Sequence, residues 1–528
     1  MRTPRTLLSL AAVSALVLTA CAGESSGPST SGELVNGKTF TMAIPTDPGN
    51  LDPLLTVLSV TRNVDRFLYG RLVEQQDDGS VVPAIAEKWE ADTKQATFTL
   101  REGVTCSDGS PLTATDVAAN INFVGDPKNK SPLAGVQVMP GTKATANDDK
   151  RTVTVKSGAP DPFLLINVGT LPIACGEGLK NRDLLAKGKS GTGMFEMSEA
   201  VPNDHYTLTR REDYTWGPGD WDADQKGLPD KVVIKVIPNE STAANLLLSG
   251  EINAASVVGP DQDRLAARDL FHDDLLSPIG QLYFNQDDGR PTQNEDVRRA
   301  LVQALDLKDV GKVLTSGKGK TPTGMVTVAP DPCQQDSVSG NIPEFDADAA
   351  AAGLDSAGWK AGSDGVRMKD GEKLSLTVIY GTQLGPTESA AAELVQQTWK
   401  KLGVEVELKG VDSPGLNEAY FKTGDWDVSM GPLTTGLPTQ IVPFMSGPTP
   451  PQGTNFAHVD NADYQAAVKK ASSVAGADGC DAWTAAEAAL YKSVDVVSYV
   501  DSTIPYFGNG AEFEVNDGLD PASIRMYE

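Results

Sequence analysis

Few residues in this sequence have the types and spacing that catalysis or metal binding would need. The three histidines, His205, His272 and His458, lie far apart, and none belongs to an H-E-x-x-H frame. The G-x-S-x-G elbow that presents a nucleophilic serine in many hydrolases does not occur. GKS at 188–190 and GKT at 319–321 lack the leading glycine of a phosphate-binding loop. We therefore expect no catalytic residues, no metal site and no cofactor.

The cysteines are the residues whose chemistry is most readily assigned. Cys106, Cys175, Cys333 and Cys480 are an even number and show no C-x₂-C spacing, which argues against a zinc site. In an exported protein they predict disulfides, for which three pairings exist. Their order along the chain favours Cys106–Cys175 and Cys333–Cys480, each within one half. The alternative is that one pair stays reduced and buried.

The first twenty residues have the features of an export signal. Arg2 and Arg5 precede an uncharged apolar run at 7–18, which is too short to span a bilayer as a helix. LTAC at 18–21 resembles the lipobox of bacterial lipoproteins, and this resemblance implies cleavage before Cys21 and lipidation of that residue. We predict a signal peptide at 1–20 and a flexible tether rich in Ser, Gly and Pro at 21–37. The protein would then be held at the outer face of a bacterial cytoplasmic membrane. An ordinary secretory signal is the alternative.

Length, composition and net charge limit the domain organisation and the binding partners of the chain. The chain has 528 residues, too many for one hydrophobic core, so at least two packed units are expected. Hydrophobic residues make up 40% and charged residues 22%, as in globular proteins. The formal net charge of −26 makes nucleic acid an improbable partner, because a phosphate backbone requires a basic surface. We expect a monomer that contacts the membrane only through its lipid anchor.

The hydrophobic pattern predicts an α/β fold. Residues 38–44, 96–101 and 232–237 read as strands, and 295–305 reads as a helix. In the second half, a strand at 374–380, a helix at 393–402 that ends at Gly403, and a strand at 404–408 form a βαβ unit. Such a unit requires a parallel strand pair.

A series of short segments provides the strongest functional signal. They are PTDPGNLDP at 45–53, FLYGRLVE at 67–74, VPAIAEKW at 82–89, LREGV at 100–104, DGSPLTATDV at 108–117, GTGMF at 191–195, REDYTW at 211–216, GEI at 250–252, FN at 284–285, VRRAL at 297–301 and AGW at 357–359. Their identity and order resemble family 5 of the extracellular solute-binding proteins, which are receptors of ABC importers for dipeptides, oligopeptides and nickel. Cys106 departs from the pattern, since many members carry an aromatic residue or histidine there.

The resemblance implies two lobes of a periplasmic-binding-protein-like α/β fold, with an extra subdomain in lobe I and a hinge of two crossing strands. We place lobe I at 38–284 and 506–528, with the subdomain inserted at about 53–190, and lobe II at 285–505. The crossings are expected near 284–286 and 504–507. The implied function is capture of a solute between the lobes and its delivery to the membrane subunits of an ABC importer.

Peptides are the most frequent solutes in this family, so a peptide or peptide-like ligand is expected first. The alternatives are a receptor for a neutral solute such as an oligosaccharide, and a lipoprotein with a signalling role. An exported hydrolase is less favoured. The residues expected to contact the solute follow the LDP element, the first crossing and the strands of lobe II. They are Ser59, Thr61, Tyr283, Asn285, Tyr380, Thr434 and Thr435.

One segment departs from the peptide-binding members. The resemblance implies that an aspartate following a strand similar to DWDVSM at 425–430 holds the peptide's α-amino group, but residues 431–440 contain no acid. Because a buried ammonium without a counter-charge is costly, either another acid holds it or the ligand has no free amine there. Thr434, Thr435 and Gln440 offer neutral hydrogen bonds instead. On this basis we expect N-acetylation of a peptide to weaken binding by less than about tenfold.

Overall fold

The computed structural model describes residues 32–528, except 259, 329, 383–385 and 412. The predicted signal peptide and the lipidation site Cys21 lie outside the described residues. The end of the predicted tether is not free, because Val35 N donates to Met526 O and Leu34 forms a β-bridge with Tyr527. Residues 33–35 are therefore attached to the C-terminal segment, Asn36 and Gly37 bond to Gly227 and Leu228, and any tether ends before them.

Lobe I is built from strands, several of which alternate buried apolar residues with more exposed ones, and from short helices. Its strands are β1 (Thr39–Ile44), β2 (Val73–Gln75), β3 (Val81–Pro83), β4 (Ala86–Ala91), β5 (Gln95–Leu100), β6 (Lys143–Asn147), β7 (Thr152–Lys156), β8 (Phe195–Val201), β9 (His205–Arg210), β10 (Lys231–Val236), β11 (Ala254–Ser256) and β12 (Phe271–Phe284), which leaves the lobe. Its helices are α1 (Ser59–Leu68), α2 (Ala114–Gly125), α3 (Leu164–Gly169), α4 (Gly176–Lys180), α5 (Arg182–Leu185), α6 (Glu240–Ser249) and α7 (Asp261–Ala266).

Lobe II contains most of the longer helices. They are α8 (Glu295–Gln303), α9 (Leu307–Leu314), α10 (Ala347–Ser356), α11 (Pro386–Lys401), α12 (Ser413–Glu418), α13 (Pro438–Met445), α14 (Ala462–Ala471) and α15 (Cys480–Lys492). Its strands are β13 (Lys360–Ala361), β14 (Arg367–Lys369), β15 (Glu372–Lys373), β16 (Ser375–Gly381), β17 (Glu405–Val411) and β18 (Val428–Ser429). The chain then returns through β19 (Val496–Gly508) to β20 (Ala511–Glu512) and β21 (Arg525–Met526) in lobe I.

One sheet of ten strands runs through both lobes, in the order β17-β16-β18-β12-β19-β11-β1-β10-β9-β8. Its central pair, β12 and β19, is antiparallel and forms the hinge. On β12, Leu275 packs against the core of lobe I, whereas Ile279 packs against that of lobe II. The change of lobe therefore falls between these two residues, several positions before the crossing predicted at 284–286. On β19 it falls between Val500 and Tyr506, close to the predicted 504–507.

The predicted α/β class and its βαβ unit are confirmed. Strands β16 and β17 are parallel, with Ser375 opposite Glu405, and α11 connects them. Gly403 ends the turn after α11 at a φ of +91°, and a Cβ there would lie 2.6 Å from the carbonyl oxygen of Gly365. Only glycine fits both the left-handed backbone and this close approach.

Lobe I also contains a separate four-stranded sheet, and two disulfides cross-link the chain. The four-stranded sheet β4-β5-β7-β6 packs against α2, which begins with a capping box between Thr113 and Asp116. Disulfides join Cys106 to Cys175 and Cys333 to Cys480, so the predicted pairing is confirmed. Among the described residues, no helix is both long and apolar enough to cross a membrane.

Candidate ligand-binding site

The strand directions bring loops from both lobes to the same place. Strand β18 is antiparallel to β12, with Ser429 opposite Tyr283, so the chain after Ser429 runs back towards lobe I. Strand β16 is parallel to β18 and ends on the same side. In lobe I, β1 is parallel to β11, which runs towards lobe II along β19. The segments after β1, β16 and β18 therefore face one another across the hinge, and we call the space between them the interlobe cleft.

The lobes touch at the edge of this cleft, so the structure is a closed form. Gly476 N of lobe II donates to Pro162 O of lobe I over 2.8 Å, and Gln334 Nε2 donates to Asp77 O over 2.9 Å. An apolar cluster at the same edge contains residues of both lobes, namely Phe163, Ile166, Leu437, Ala471, Ala482 and Trp483. Contacts of this kind form and break when two lobes close around a ligand by hinge motion.

Gln281 connects the hinge to the wall of the cleft in lobe II. Its side chain is fully buried, and its Oε1 accepts hydrogen bonds from Tyr283 OH at 2.7 Å and Leu433 N at 2.8 Å. Its Nε2 has no partner in the described part of the chain. A buried amide that lacks one partner is costly, and a bound molecule can supply the acceptor.

The acid-free segment presents hydroxyl groups without partners. Thr434 is exposed, whereas Thr435 is half-buried and its Oγ1 has no hydrogen-bond partner among the described residues. Thr439 Oγ1, in the first turn of α13, also has no hydrogen-bond partner among the described residues. Gln440 Oε1 is already used, since it accepts from Gly436 N over 3.1 Å. The segment can therefore donate or accept neutral hydrogen bonds at the cleft.

Asp427 does not replace the missing acid. Its Oδ1 is paired with Arg290 NH1 over 2.9 Å, and its Oδ2 accepts from Thr377 N over 2.7 Å. It also precedes β18, at the end of the strand far from lobe I. Its charge is thus neutralised within lobe II, away from the cleft.

The structure separates the predicted contact residues into two groups. Ser59 lies exposed at the start of α1, and Tyr380 lies half-buried near the end of β16, where it packs against the core of lobe II. Thr61 is buried, and its Oγ1 donates to Pro48 O over 2.6 Å. Solute contact by any of these residues stays a prediction.

Tyr283 and Asn285 lie deeper in lobe II than the sequence suggested. The Tyr283 ring is fully buried, 5.4 Å from that of Phe456. Asn285 follows the far end of β12, and its Nδ2 donates to Trp426 O over 2.9 Å. Because the lobes cross before these residues, neither faces lobe I in this closed form. The cleft side of the strand is occupied by Gln281, which sequence reasoning missed.

The structure also places the histidines and the possible metal ligands of the described residues. No group of three or more His, Cys, Asp or Glu side chains in the described residues is arranged to hold a metal ion. His458 Nδ1 lies 3.2 Å from Asp287 in lobe II, and His205 lies beside Asp204 and Glu199 in lobe I. Burial raises the pKa of Asp501, on hinge strand β19, to about 7.

Comparisons with known proteins agree with this architecture. The family model described as "Bacterial extracellular solute-binding proteins, family 5 Middle" matches residues 80–455, more than two-thirds of the chain. The periplasmic murein peptide-binding protein MppA of Escherichia coli is 28% identical over 411 residues, 72% of each chain. The nickel-binding periplasmic protein of the same species is 27% identical over 437 residues, 79% of each. The oligopeptide-binding protein AppA of Bacillus subtilis, solved with a nonapeptide, superposes with a TM-score of 0.73 at 20% identity, covering 94% of this chain and all of that one.

Proposed function

The chain belongs to family 5 of the bacterial extracellular solute-binding proteins, and we propose that it captures a peptide or peptide-like solute between its lobes and delivers it to an ABC importer. The observation that carries this proposal is the meeting of polar loops from both lobes across a two-stranded hinge. Relatives whose names specify murein peptides, dipeptides and oligopeptides support the peptide class.

The proposed mechanism is hinge closure. Solute binds the open form through one lobe, and closure then brings the second lobe onto it and excludes water. A solute favours the closed form only by its greater affinity for that form, and the importer can then distinguish loaded from empty receptor. No bond in the solute is made or broken, so the protein is proposed to act as a binding protein and not as an enzyme.

The proposed contacts are Ser59 in lobe I and Tyr380, Thr434, Thr435 and Gln281 in lobe II. Tyr380 offers an aromatic face with a polar tip, and its hydroxyl accepts a long 3.4 Å hydrogen bond from Ser389 Oγ. Gln281 and Thr435 offer polar atoms that have no hydrogen-bond partner in the described part of the chain. Thr61, Tyr283 and Asn285 are proposed to support the site from within their own lobes.

Calorimetry with dialanine, trialanine and tetraalanine tests this function. We expect one peptide bound per chain, and the double variant T434A/T435A to lose about tenfold in affinity, or about 1.4 kcal/mol, with little change in the melting temperature. Thr145→Ala, an exposed threonine on β6, is the matched control and should bind normally. Absence of peptide binding, with stoichiometric binding of a neutral oligosaccharide, would favour the alternative solute.

The attachment to the membrane is a separate part of the proposal. The LTAC motif supports lipidation of Cys21, and the protein is proposed to act as a monomer at the outer face of the cytoplasmic membrane. Cys21→Ser should release the protein into the medium or leave it unprocessed. A variant that still partitions with membranes at mature size would contradict lipidation at this residue.

A further inference from the structure

Asp501 lies on the hinge at the point where the lobes separate. It pairs with Pro278 across the two central strands, next to the Gly280–Val500 pair. Its backbone is also held on the other side, because its N–H donates to Lys320 O over 3.0 Å and its carbonyl accepts from Lys320 N over 2.8 Å. The position of the residue is therefore fixed, and only 2% of its surface is exposed.

The carboxylate of Asp501 has no counter-charge. Its Oδ1 makes no hydrogen bond, and no Lys, Arg or His in the described part of the chain pairs with it. Desolvation is the main cause of its raised pKa. Two other buried acids of lobe II differ, since Asp427 is paired with Arg290 and Asp495 with Arg298. A buried carboxylate without a partner is costly to fold, so a cationic group from outside the chain would stabilise its charged form.

Polar groups of Thr327, Gln281 and Thr435 also have no hydrogen-bond partner of normal geometry among the described residues. Thr327 lies close enough to Asp501 to lower its pKa slightly, yet neither Thr327 Oγ1 nor Asp501 Oδ1 makes a hydrogen bond of normal geometry. Gln281 is on the adjacent strand, one residue beyond the Gly280–Val500 pair, and its Nε2 is unpaired. Thr435, with its unpaired Oγ1, belongs to the loop that Gln281 anchors through Leu433 N.

These groups have a definite chemical polarity. The Asp501 carboxylate and the threonine oxygens accept hydrogen bonds, whereas Gln281 Nε2 can only donate. An ammonium group next to a carbonyl matches this arrangement, because the ammonium donates up to three bonds and the carbonyl accepts one. The α-amino end of a peptide has both groups on adjacent atoms. A neutral sugar would leave the carboxylate without a charge partner.

We propose that Asp501 accepts the ammonium group of the solute from the hinge, with Gln281 donating to the neighbouring carbonyl. This inference rests on the proposed function, and it selects the first of the two explanations for the acid-free segment 431–440: the acid comes from β19. It therefore replaces the expectation that acetylation is tolerated. The solute class becomes peptides, or other molecules, with a free cationic amine.

Affinities for alanine peptides with free and N-acetylated amines test the assignment. Wild-type protein should prefer the free forms by about a hundredfold or more. Asp501→Asn should lose about a hundredfold for the free forms and bind the acetylated forms as wild type does. Asp274→Asn, an exposed acid on the other hinge strand, is the matched control and should change neither.

The outcomes separate this inference from the function on which it rests. Wild-type affinities for the two forms that agree within about tenfold overturn the role of Asp501 but leave the receptor intact. Normal binding of free peptides by D501N would also overturn the role of Asp501 and leave the receptor function intact. Failure of the wild type to bind any peptide contradicts both. Since D501N removes a buried charge, its solute-free form should melt no lower than wild type at neutral pH, and D501S serves as a second neutral variant if it does.

Discussion

Phe163 of lobe I and Trp483 of lobe II lie with their ring centroids 6.3 Å apart, inside the apolar cluster that joins the two lobes. Phe163 precedes α3, and Trp483 lies on α15, more than three hundred residues later in the sequence. The two rings belong to different lobes, so opening of the lobes about the hinge is expected to break the contact. The contact therefore contributes to the free energy of lobe closure. It can be removed by a substitution outside the cleft.

Phe163→Ala should shift the protein towards the open form. An aromatic pair contributes about 0.5–1.5 kcal/mol beyond its buried area, so affinity for solute should fall by about three- to tenfold. Small-angle scattering should show a larger radius of gyration for the solute-free variant. Phe345→Ala, at a side chain that is 58% exposed, is the control and should leave both quantities unchanged. A compact F163A would show that the rings do not hold the lobes together.

Gly280→Ala should strain the hinge. A Cβ at this position would lie 2.4 Å from Val500 Cγ1 and 2.6 Å from Tyr499 Cε2, closer than atoms can approach. We expect a loss of about 1–3 kcal/mol in the free energy of unfolding, measured by urea denaturation. Gly353→Ala is the matched control, because this glycine lies inside α10 with its nearest neighbour, Ala300 Cβ, at 3.4 Å, and alanine favours a helix by about 1 kcal/mol. Equal effects of the two substitutions would contradict the crowding at the hinge.

Glu487 makes stability depend on pH. Burial is the main cause that raises its pKa from 4.5 to about 7, and Asp331 adds to the rise, whereas Ser337 and Met325 N donate to its carboxylate and oppose it. A carboxyl group with a raised pKa in the folded state contributes stability below its unfolded pKa and loses it as the pH rises through its folded pKa. The free energy of unfolding should therefore fall between about pH 5 and pH 8.

Glu487→Gln keeps an oxygen acceptor for Ser337 and Met325 but cannot ionise. Its stability should fall less than that of the wild type over the same range. Thermal denaturation at a series of pH values measures the difference. Parallel curves for the two proteins would show that Glu487 does not carry the pH dependence.

The sequence predicted those parts of the fold that depend on local pattern or on chain order. The strand at 38–44 is visible because the large apolar residues Phe40, Met42 and Ile44 alternate with smaller ones, and the βαβ unit because its period changes from two to that of a helix. The disulfides followed from order along the chain, since each joins cysteines within one half.

The cleft was predicted less well, because its polar groups depend on partners distant in sequence. Tyr283 and Asn285 resembled site residues, but the register of β12 against β18 places them beyond the crossing. Gln281 and Asp501 interrupt apolar strands, which was the available signal. The structure shows that Leu433 N bonds only to the oxygen of the Gln281 amide and that Thr327 lies beside Asp501. Gln281 Nε2 and Asp501 Oδ1 are then left without hydrogen-bond partners in the described residues.

Native mass spectrometry after incubation with a complex peptide digest tests the central claim most directly. A receptor that encloses one solute between its lobes without chemistry should retain a single peptide per chain, and denaturation should release that peptide with its mass unchanged. Protein that carries no adduct, or that releases shortened peptides, would contradict the account.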